Sequence, residues 1–516
     1  MLEGKSLIGW SRATGGDQTL YGYDARTGER LEPAYDGATA AAMDRAVNLA
    51  ADAFAPYRAL PRGRRAEFLR AIAAELEALG DALIERVMAE SALPEGRLRG
   101  ELSRTTGQLR FFAAIVEEGS WVDARIDTGN PGRKPLPKPD VRSMLRPLGP
   151  VAVFCASNFP LAFSVAGGDT ASALAAGNPV VVNAHFSHPG TAEMCGGAIV
   201  AAAQETGMPE GVFSLLFTVG HEIGQALVAH PLIQAAAFTG SRKGGLALLA
   251  IAQSRPEPIP FYAEMSSVNP VFVLPRTLAE RGDALAAGLD ASITLGVGQF
   301  CTNPGVVSVP AGAAGDRLAA ALAEKLAATP EFPMLNAGIL ENYAAKVAAR
   351  TADPRVRTLV SAKGSAPALF EATVETFLAE PDLGEEVFGP ASMLVRYGKF
   401  EEALAIAHTM EGNLTATIQM AAGDEADAAR LVAALETRVG RIVFNGYPTG
   451  VEVCQAMVHG GPYPATSDGR TTSVGGCAIL RFARPVCYQD APESLLPEEL
   501  RSGAAGLRRM VDGEYV

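Results

Sequence analysis

Gly149-Pro150-Val151-Ala152-Val153-Phe154-Cys155-Ala156-Ser157-Asn158-Phe159-Pro160 opens a regular strand–helix alternation. Val151 to Phe154 reads as a buried strand, because an unbroken apolar run suits a strand covered on both faces. Ala162 to Ala176 follows as a helix, Pro179-Val180-Val181-Val182 as a strand and His188 to Thr206 as a helix. Phe213-Ser214-Leu215-Leu216 is the next strand, Glu222 to Ala229 the next helix, and Ala235-Ala236-Ala237-Phe238 a further strand. Short apolar strands alternating with helices predict an α/β fold with a parallel, doubly wound sheet. Ligands of such sheets bind outside the carboxyl ends of the strands.

A second alternation fills residues 257–445. It predicts strands at Ile259 to Ala263, Pro270 to Leu274, Ala416 to Met420 and Gly440 to Asn445, with a mostly apolar run at Val306 to Val309. Helices are expected at Ala279 to Ile293, Gly315 to Ala328, Lys399 to Met410 and Asp424 to Thr437. Two successive α/β blocks suggest two domains facing across a cleft. Residues 1–36 read as short strands and turns, and Ala38 to about Glu118 as amphipathic helices. Residues 125–147, with Pro131, Pro135, Pro137 and Pro139, read as an extended exposed arm. The Gly- and Pro-rich stretch from His459 to Arg470 reads as a long ordered loop, a kind that is often functional. Ala478 to Phe482 reads as a strand.

A chain of 516 residues is too long for one core. Hydrophobic residues make up 48% and charged residues 20%, an ordinary globular composition. A net charge of -13 argues against nucleic acid as the partner, since phosphate binding needs a basic footprint. No apolar run reaches the ~18 residues of a bilayer-spanning helix, and the first ten residues lack a signal-peptide pattern. The six cysteines are dispersed without a CxxC pair, so a cytoplasmic location is expected. His185 and His188 have metal-compatible spacing, but no carboxylate or thiol cluster accompanies them, and no metal is expected.

The chemistry-bearing loop is Leu295-Gly296-Val297-Gly298-Gln299-Phe300-Cys301-Thr302-Asn303-Pro304-Gly305. A cysteine on a glycine-flanked bend can aim its sulfur into a cleft, and a thiolate is a strong nucleophile. A buried free cysteine is the plain alternative. Glu264 ends a strand 37 positions earlier (301 − 264). Phe238-Thr239-Gly240-Ser241-Arg242-Lys243-Gly244-Gly245 is a turn opening a helix, a form that can offer backbone N–H groups to a phosphate.

Asn158-Phe159-Pro160, Phe238-Thr239-Gly240-Ser241, Glu264, Gly298-Gln299-Phe300-Cys301 and Glu385-Glu386-Val387-Phe388-Gly389-Pro390 occur in the order and spacing of one family. On these residues the chain resembles the NAD(P)-dependent aldehyde dehydrogenase superfamily. Tyr262-Ala263-Glu264-Met265-Ser266-Ser267, Phe300 to Gly305 and the tail Gly460 to Asp468 resemble one branch of it. That branch holds 2-oxoglutarate semialdehyde (2,5-dioxopentanoate) dehydrogenases and NADP-linked fatty aldehyde dehydrogenases.

The resemblance implies Cys301 as nucleophile, Asn158 and the Cys301 N–H as oxyanion donors, and Glu264 as the base for hydrolysis. It assigns Gly240, Ser241 and Gly245 to the pyrophosphate turn, and Glu386 and Phe388 to the nicotinamide side. Asn183, His185 and Phe186 fall at the adenosine ribose. Phe159, Phe163 and Phe300 are candidates for the aldehyde pocket wall. It also implies a Rossmann-like cofactor domain (1–124 and 148–257), a catalytic domain (258–476), and a small β oligomerisation arm with tail (125–147 and 477–516). A homodimer or homotetramer is expected.

Three departures stand out. Asn183 replaces the family's usual lysine, and Phe186 the glutamate of NAD-preferring members. These act in opposite directions, and the balance leans to NADP over NAD, with Arg242 or Lys243 as compensating cations. Ser266-Ser267 replaces glycines, which puts the backbone path near Glu264 in question. A broad or fatty aldehyde dehydrogenase, a CoA-acylating relative and a non-catalytic protein of the same fold are the alternatives. Intact Glu264 opposes CoA acylation, and Cys301, Glu264 and Asn158 together oppose a catalytically silent chain.

Overall fold

A computed structural model describes residues 2–13, 15–504 and 506–516. The first sheet has seven strands, in the order Phe261–Glu264, Ala235–Thr239, Val151–Phe154, Val180–Asn183, Phe213–Leu216, Leu7–Ile8, Ser11–Arg12. The five strands from Phe261–Glu264 to Phe213–Leu216 are parallel, and the two N-terminal ones close the edge antiparallel. Their residues are almost wholly buried, as unbroken apolar runs require when helices cover both faces. The helices Ala40–Arg58, Arg62–Ala78, Gly80–Ser91 and Glu95–Glu118 supply much of that cover. Thr39 caps the first by accepting the Ala42 N–H at 3.1 Å, and Gly119 ends the last at φ 86°.

The second sheet also has seven strands: Arg357–Val360, Ala368–Thr373, Ala391–Tyr397, Val306–Pro310, Val271–Val273, Asn413–Gln419, Val439–Phe444. Only Arg357–Val360 is antiparallel to its neighbour. This is the expected α/β architecture of two parallel-strand sheets, each in its own helical layers. A third sheet joins Ala483–Gln489, Val141–Pro147, Arg125–Asp127, Met510–Val511 and Glu514–Tyr515. The Pro-rich arm and the tail are thus one small β unit.

Three expectations need correction. Phe261–Glu264 bonds along Ala235–Thr239 and so belongs to the first sheet, where a strand of the second alternation was expected. Ala478 to Phe482 is no strand; Gly476–Phe482 is a 3-10 turn packed into the core, and the strand begins at Ala483. The helix expected from Ala162 starts only at Gly168, because the Gly168 N–H donates to the Ala162 carbonyl and folds 162–167 into turns.

Candidate active site

The carboxyl ends of adjacent strands in the first sheet carry Asn183, Asn158, Gly240 and Glu264 side by side, as parallel topology demands. Asn158 is buried, and its amide donates to the Gln299 carbonyl at 3.0 Å. That leaves one amide N–H without a protein partner among the described residues. Its own carbonyl accepts from Arg97 Nη2 at 2.8 Å, and Glu101 receives the Leu161 and Ala162 N–H groups. The loop behind Asn158 is therefore fixed from the helix Glu95–Glu118.

Cys301 comes from the other unit. Gly296, Val297 and Gly298 all have positive φ, at 57°, 58° and 64°. Such a conformation is costly for a β-branched residue like Val297 and marks a loop held by its surroundings. At Gly298 a Cβ would lie 2.3 Å from the Gly389 carbonyl carbon, so only glycine lets this loop approach the 385–390 segment. Asn269 Nδ2 donates to the carbonyls of Cys301 and Asn303, at 2.8 and 2.9 Å, and pins the far side.

The long loop expected from His459 to Arg470 lies along Glu264. Met265 N donates to Ala465 O at 2.7 Å, and Ser467 N to Ala263 O at 3.0 Å. Ser473 Oγ donates to Glu264 Oε2 at 2.8 Å. His459 Nε2 stands 3.0 Å from Glu264 Oε1 and 3.5 Å from Cys301 Sγ. His459 and Ser473 were missed as site residues. They lie far from Glu264 and Cys301 in sequence, and the only hint was the length and glycine content of their loop.

The charges follow from this packing. Burial, then the neighbouring Glu264, push the half-buried Cys301 thiol well above its ordinary value. The resting sulfur is thus protonated, and a base must take its proton. Burial alone would raise Glu264, but His459 and the hydrogen bonds from His459, Ser473 and Cys301 outweigh it and hold the carboxyl below its ordinary value. A dry site alone would raise the carboxyl, and the histidine reverses that. Glu386 goes the other way, pushed by burial to about 7. Ser266 and Ser267 hydrogen-bond Glu386, and Ser267 Oγ donates to Asn269 Oδ1 at 2.8 Å. The Ser266 hydroxyl thus braces Glu386, while Ser267 reaches it through its backbone N–H, as a glycine there would.

Glu264, Cys301 and His459 offer three donor atoms within 4.8 Å of one another, a grouping that could hold a metal and that sequence reading did not anticipate. His185 and His188 form no such group among the described residues. Their rings stack at 5.4 Å, and His188 Nε2 lies 3.0 Å from Ala156 O. Burial lowers His185 to about 3, so it is neutral.

Phe159, Phe163 and Phe300 come together beside the sulfur. Phe159 meets Phe163 at 5.2 Å and Phe300 at 5.3 Å, and Phe163 lies 6.0 Å from the His459 ring. At the other strand ends, Asn183 Oδ1 accepts from Thr218 Oγ1 at 2.9 Å. Phe186 stays 55% exposed, with His185 stacked behind it at 4.5 Å. Ser241 caps the helix Arg242–Ser254, and Gly245 lets that helix sit on Met265, whose sulfur would be 2.8 Å from a Cβ there. Phe388 is half-buried beside Glu386. Arg242 is not a free compensating cation: Glu411 holds it through two contacts at 2.9 and 3.3 Å.

The aldehyde dehydrogenase family model matches residues 16–463. The chain is 53% identical to alpha-ketoglutaric semialdehyde dehydrogenase 2 of Azospirillum brasilense, over 99% of each chain. It is 44% identical to the alpha-ketoglutaric semialdehyde dehydrogenase of Acinetobacter baylyi, over 99% of this chain and 98% of that one. Aldehyde dehydrogenase 21 from Physcomitrella patens, solved with the product succinate, shares the fold at a TM-score of 0.80 and 19% identity, covering 94% of this chain and 97% of that one. The chain belongs to the aldehyde dehydrogenase family, and it is an oxidoreductase acting on aldehydes.

Proposed function

We propose that this enzyme oxidises 2-oxoglutarate semialdehyde to 2-oxoglutarate, with NADP+ preferred over NAD+. The observation that carries the substrate is the full-length likeness to the Azospirillum enzyme at 53% identity. Cys301 adds its sulfur to the aldehyde carbon, and its proton passes to the Glu264–His459 pair. The free Asn158 amide N–H and the Cys301 N–H receive the oxyanion, which is where preorganised donors act most strongly. A dinucleotide held by Gly240, Ser241, Glu386 and Phe388 would supply the hydride acceptor, and Cys301 would then hold the carbon as a thioester. Glu264 then takes a proton from water as its oxygen attacks the thioester, releasing the acid and the thiol.

The residues fit a dinucleotide. Ser241 and Gly240 open a helix at a strand end, Asn183 and the exposed face of Phe186 border the next strands, and the charge of Glu386, two residues before Phe388, reaches the sulfur. The NADP preference rests on Phe186, which leaves no carboxylate to repel a 2′-phosphate, and on Lys243, which has no ion pair among the described residues. We assign the enzyme to the cytoplasm, consistent with six free cysteines. We expect a homodimer or homotetramer, since Ala483–Gln489 is an open sheet edge with largely exposed side chains.

Reduced-cofactor formation tests the proposal directly. The highest kcat/KM is expected with 2-oxoglutarate semialdehyde among aldehydes that include succinate semialdehyde, pentanal and long-chain aldehydes. A higher value for an uncharged or long-chain aldehyde would reject it.

A further inference from the structure

Arg104 lies on the helix Glu95–Glu118, with its guanidinium 5.2 Å above the Phe163 ring. Phe163 in turn faces His459, whose Nε2 touches Cys301 Sγ. The cation thus stands at the aromatic wall beside the reactive sulfur. Its Nε and Nη2 are buried and have no hydrogen-bond partner. No carboxylate lies within ion-pair distance of it among the described residues. The charges of Glu101, Cys301, Glu452 and Glu264 reach it only at longer range.

A buried guanidinium left without partners is costly, and native proteins rarely keep one unless a ligand completes it. Other arginines nearby each leave one buried nitrogen unpaired, Arg97 Nη1 and Arg441 Nε, but are otherwise engaged. Arg97 donates Nη2 to Asn158 O and lies over Phe159 and Phe300 at 5.0 and 4.6 Å. Arg441 donates both terminal nitrogens to the carbonyls of Gly450 and Pro448, at 2.9 and 2.7 Å.

We infer that Arg104 binds the carboxylate at the far end of the substrate and so selects aldehydes that carry a terminal carboxylate. The inference rests on the functional reading above and answers what that reading leaves open, which cation meets the substrate's charge. Planar guanidinium and carboxylate form paired charge-assisted hydrogen bonds. The rings of Phe163 and Phe159 would line the short chain between the carboxylate and the aldehyde.

The test compares kcat/KM for 2-oxoglutarate semialdehyde and for pentanal in wild type, Arg104→Met and Arg441→Met. Arg104→Met is expected to lose on the order of 10- to 100-fold on the charged aldehyde, mostly through KM. Its rate on pentanal should stay near wild type, and Arg104→Lys should recover part of the loss. If Arg104→Met does not fold, Arg104→Gln, which keeps a polar group over Phe163, carries the same comparison. A wild type that prefers the charged aldehyde, with a variant that keeps that preference, overturns this inference alone. So does a charge-selective loss in Arg441→Met but not in the Arg104 variants. A wild type without the preference overturns the functional reading, and this inference with it.

Discussion

His459 Nε2 lies 3.0 Å from Glu264 Oε1, and both are almost fully buried. A buried carboxylate without that partner would be pushed toward its neutral form. His459→Ala should therefore raise the pKa of Glu264 and move the acid limb of the kcat profile to higher pH. The fall in kcat near neutrality should be roughly 10²-fold. A pH–rate profile of the variant checks both. An unchanged acid limb would show that the histidine does not set the state of Glu264.

Glu264→Gln separates the two halves of the reaction. His459, 3.5 Å from Cys301 Sγ, remains to take the thiol proton, so the thioester should still form and give a burst of one equivalent of reduced cofactor per site. Steady turnover should then fall by roughly 10²-fold or more. Rapid-mixing absorbance measures this, and a variant with no burst would contradict the assigned order.

Asn158→Ala removes a side-chain donor from the oxyanion without cutting a strand. Its kcat should drop by about 10²–10³, and the lost bond to the buried Gln299 carbonyl should lower Tm modestly. Steady-state kinetics and a melting curve decide it.

Much of this site was legible in the sequence because strand topology is local. An apolar run followed by a turn gives a strand end, and the strand ends bring Asn158, Gly240 and Glu264 together. Cys301 was legible from its glycine-flanked loop and its spacing from Glu264. His459 was not, since it sits 158 positions from Cys301 and 195 from Glu264 and reaches them through the tail loop. The pairing of Arg242 with Glu411 is equally long-range, at 169 positions, and it reverses what the isolated turn suggested. Ala478 to Phe482 has a strand's composition, but its neighbours fold it as a core turn. Composition alone does not distinguish the two.

Glu386 links stability to pH. Its carboxyl is raised to about 7, so the folded protein holds that proton more tightly than the unfolded chain. Below the unfolded value near 4.5 the group is protonated in both states and contributes nothing. Between 4.5 and about 7 the unfolded chain ionises while the half-buried folded carboxyl keeps its proton, so stability falls across that window and the full cost stands above it. Glu386→Gln should therefore raise Tm at about pH 8, and the gain should vanish near about pH 4.5. Melting curves at both values check the sign.

The trio Glu264, Cys301 and His459 should also bind Zn2+, a tetrahedral ion that favours sulfur and nitrogen ligands. Micromolar Zn2+ is expected to inhibit, a chelator to restore activity, and His459→Ala to weaken the inhibition. Inhibition curves with and without chelator test it.

Turnover requires the Cys301 sulfur to carry the acyl group. The most direct measurement is peptide mass spectrometry of Glu264→Gln after mixing with 2-oxoglutarate semialdehyde and NADP+. An acyl adduct on the Cys301 peptide, removed by hydroxylamine, is the predicted result. An adduct on another cysteine, or none while reduced cofactor forms, would contradict the account.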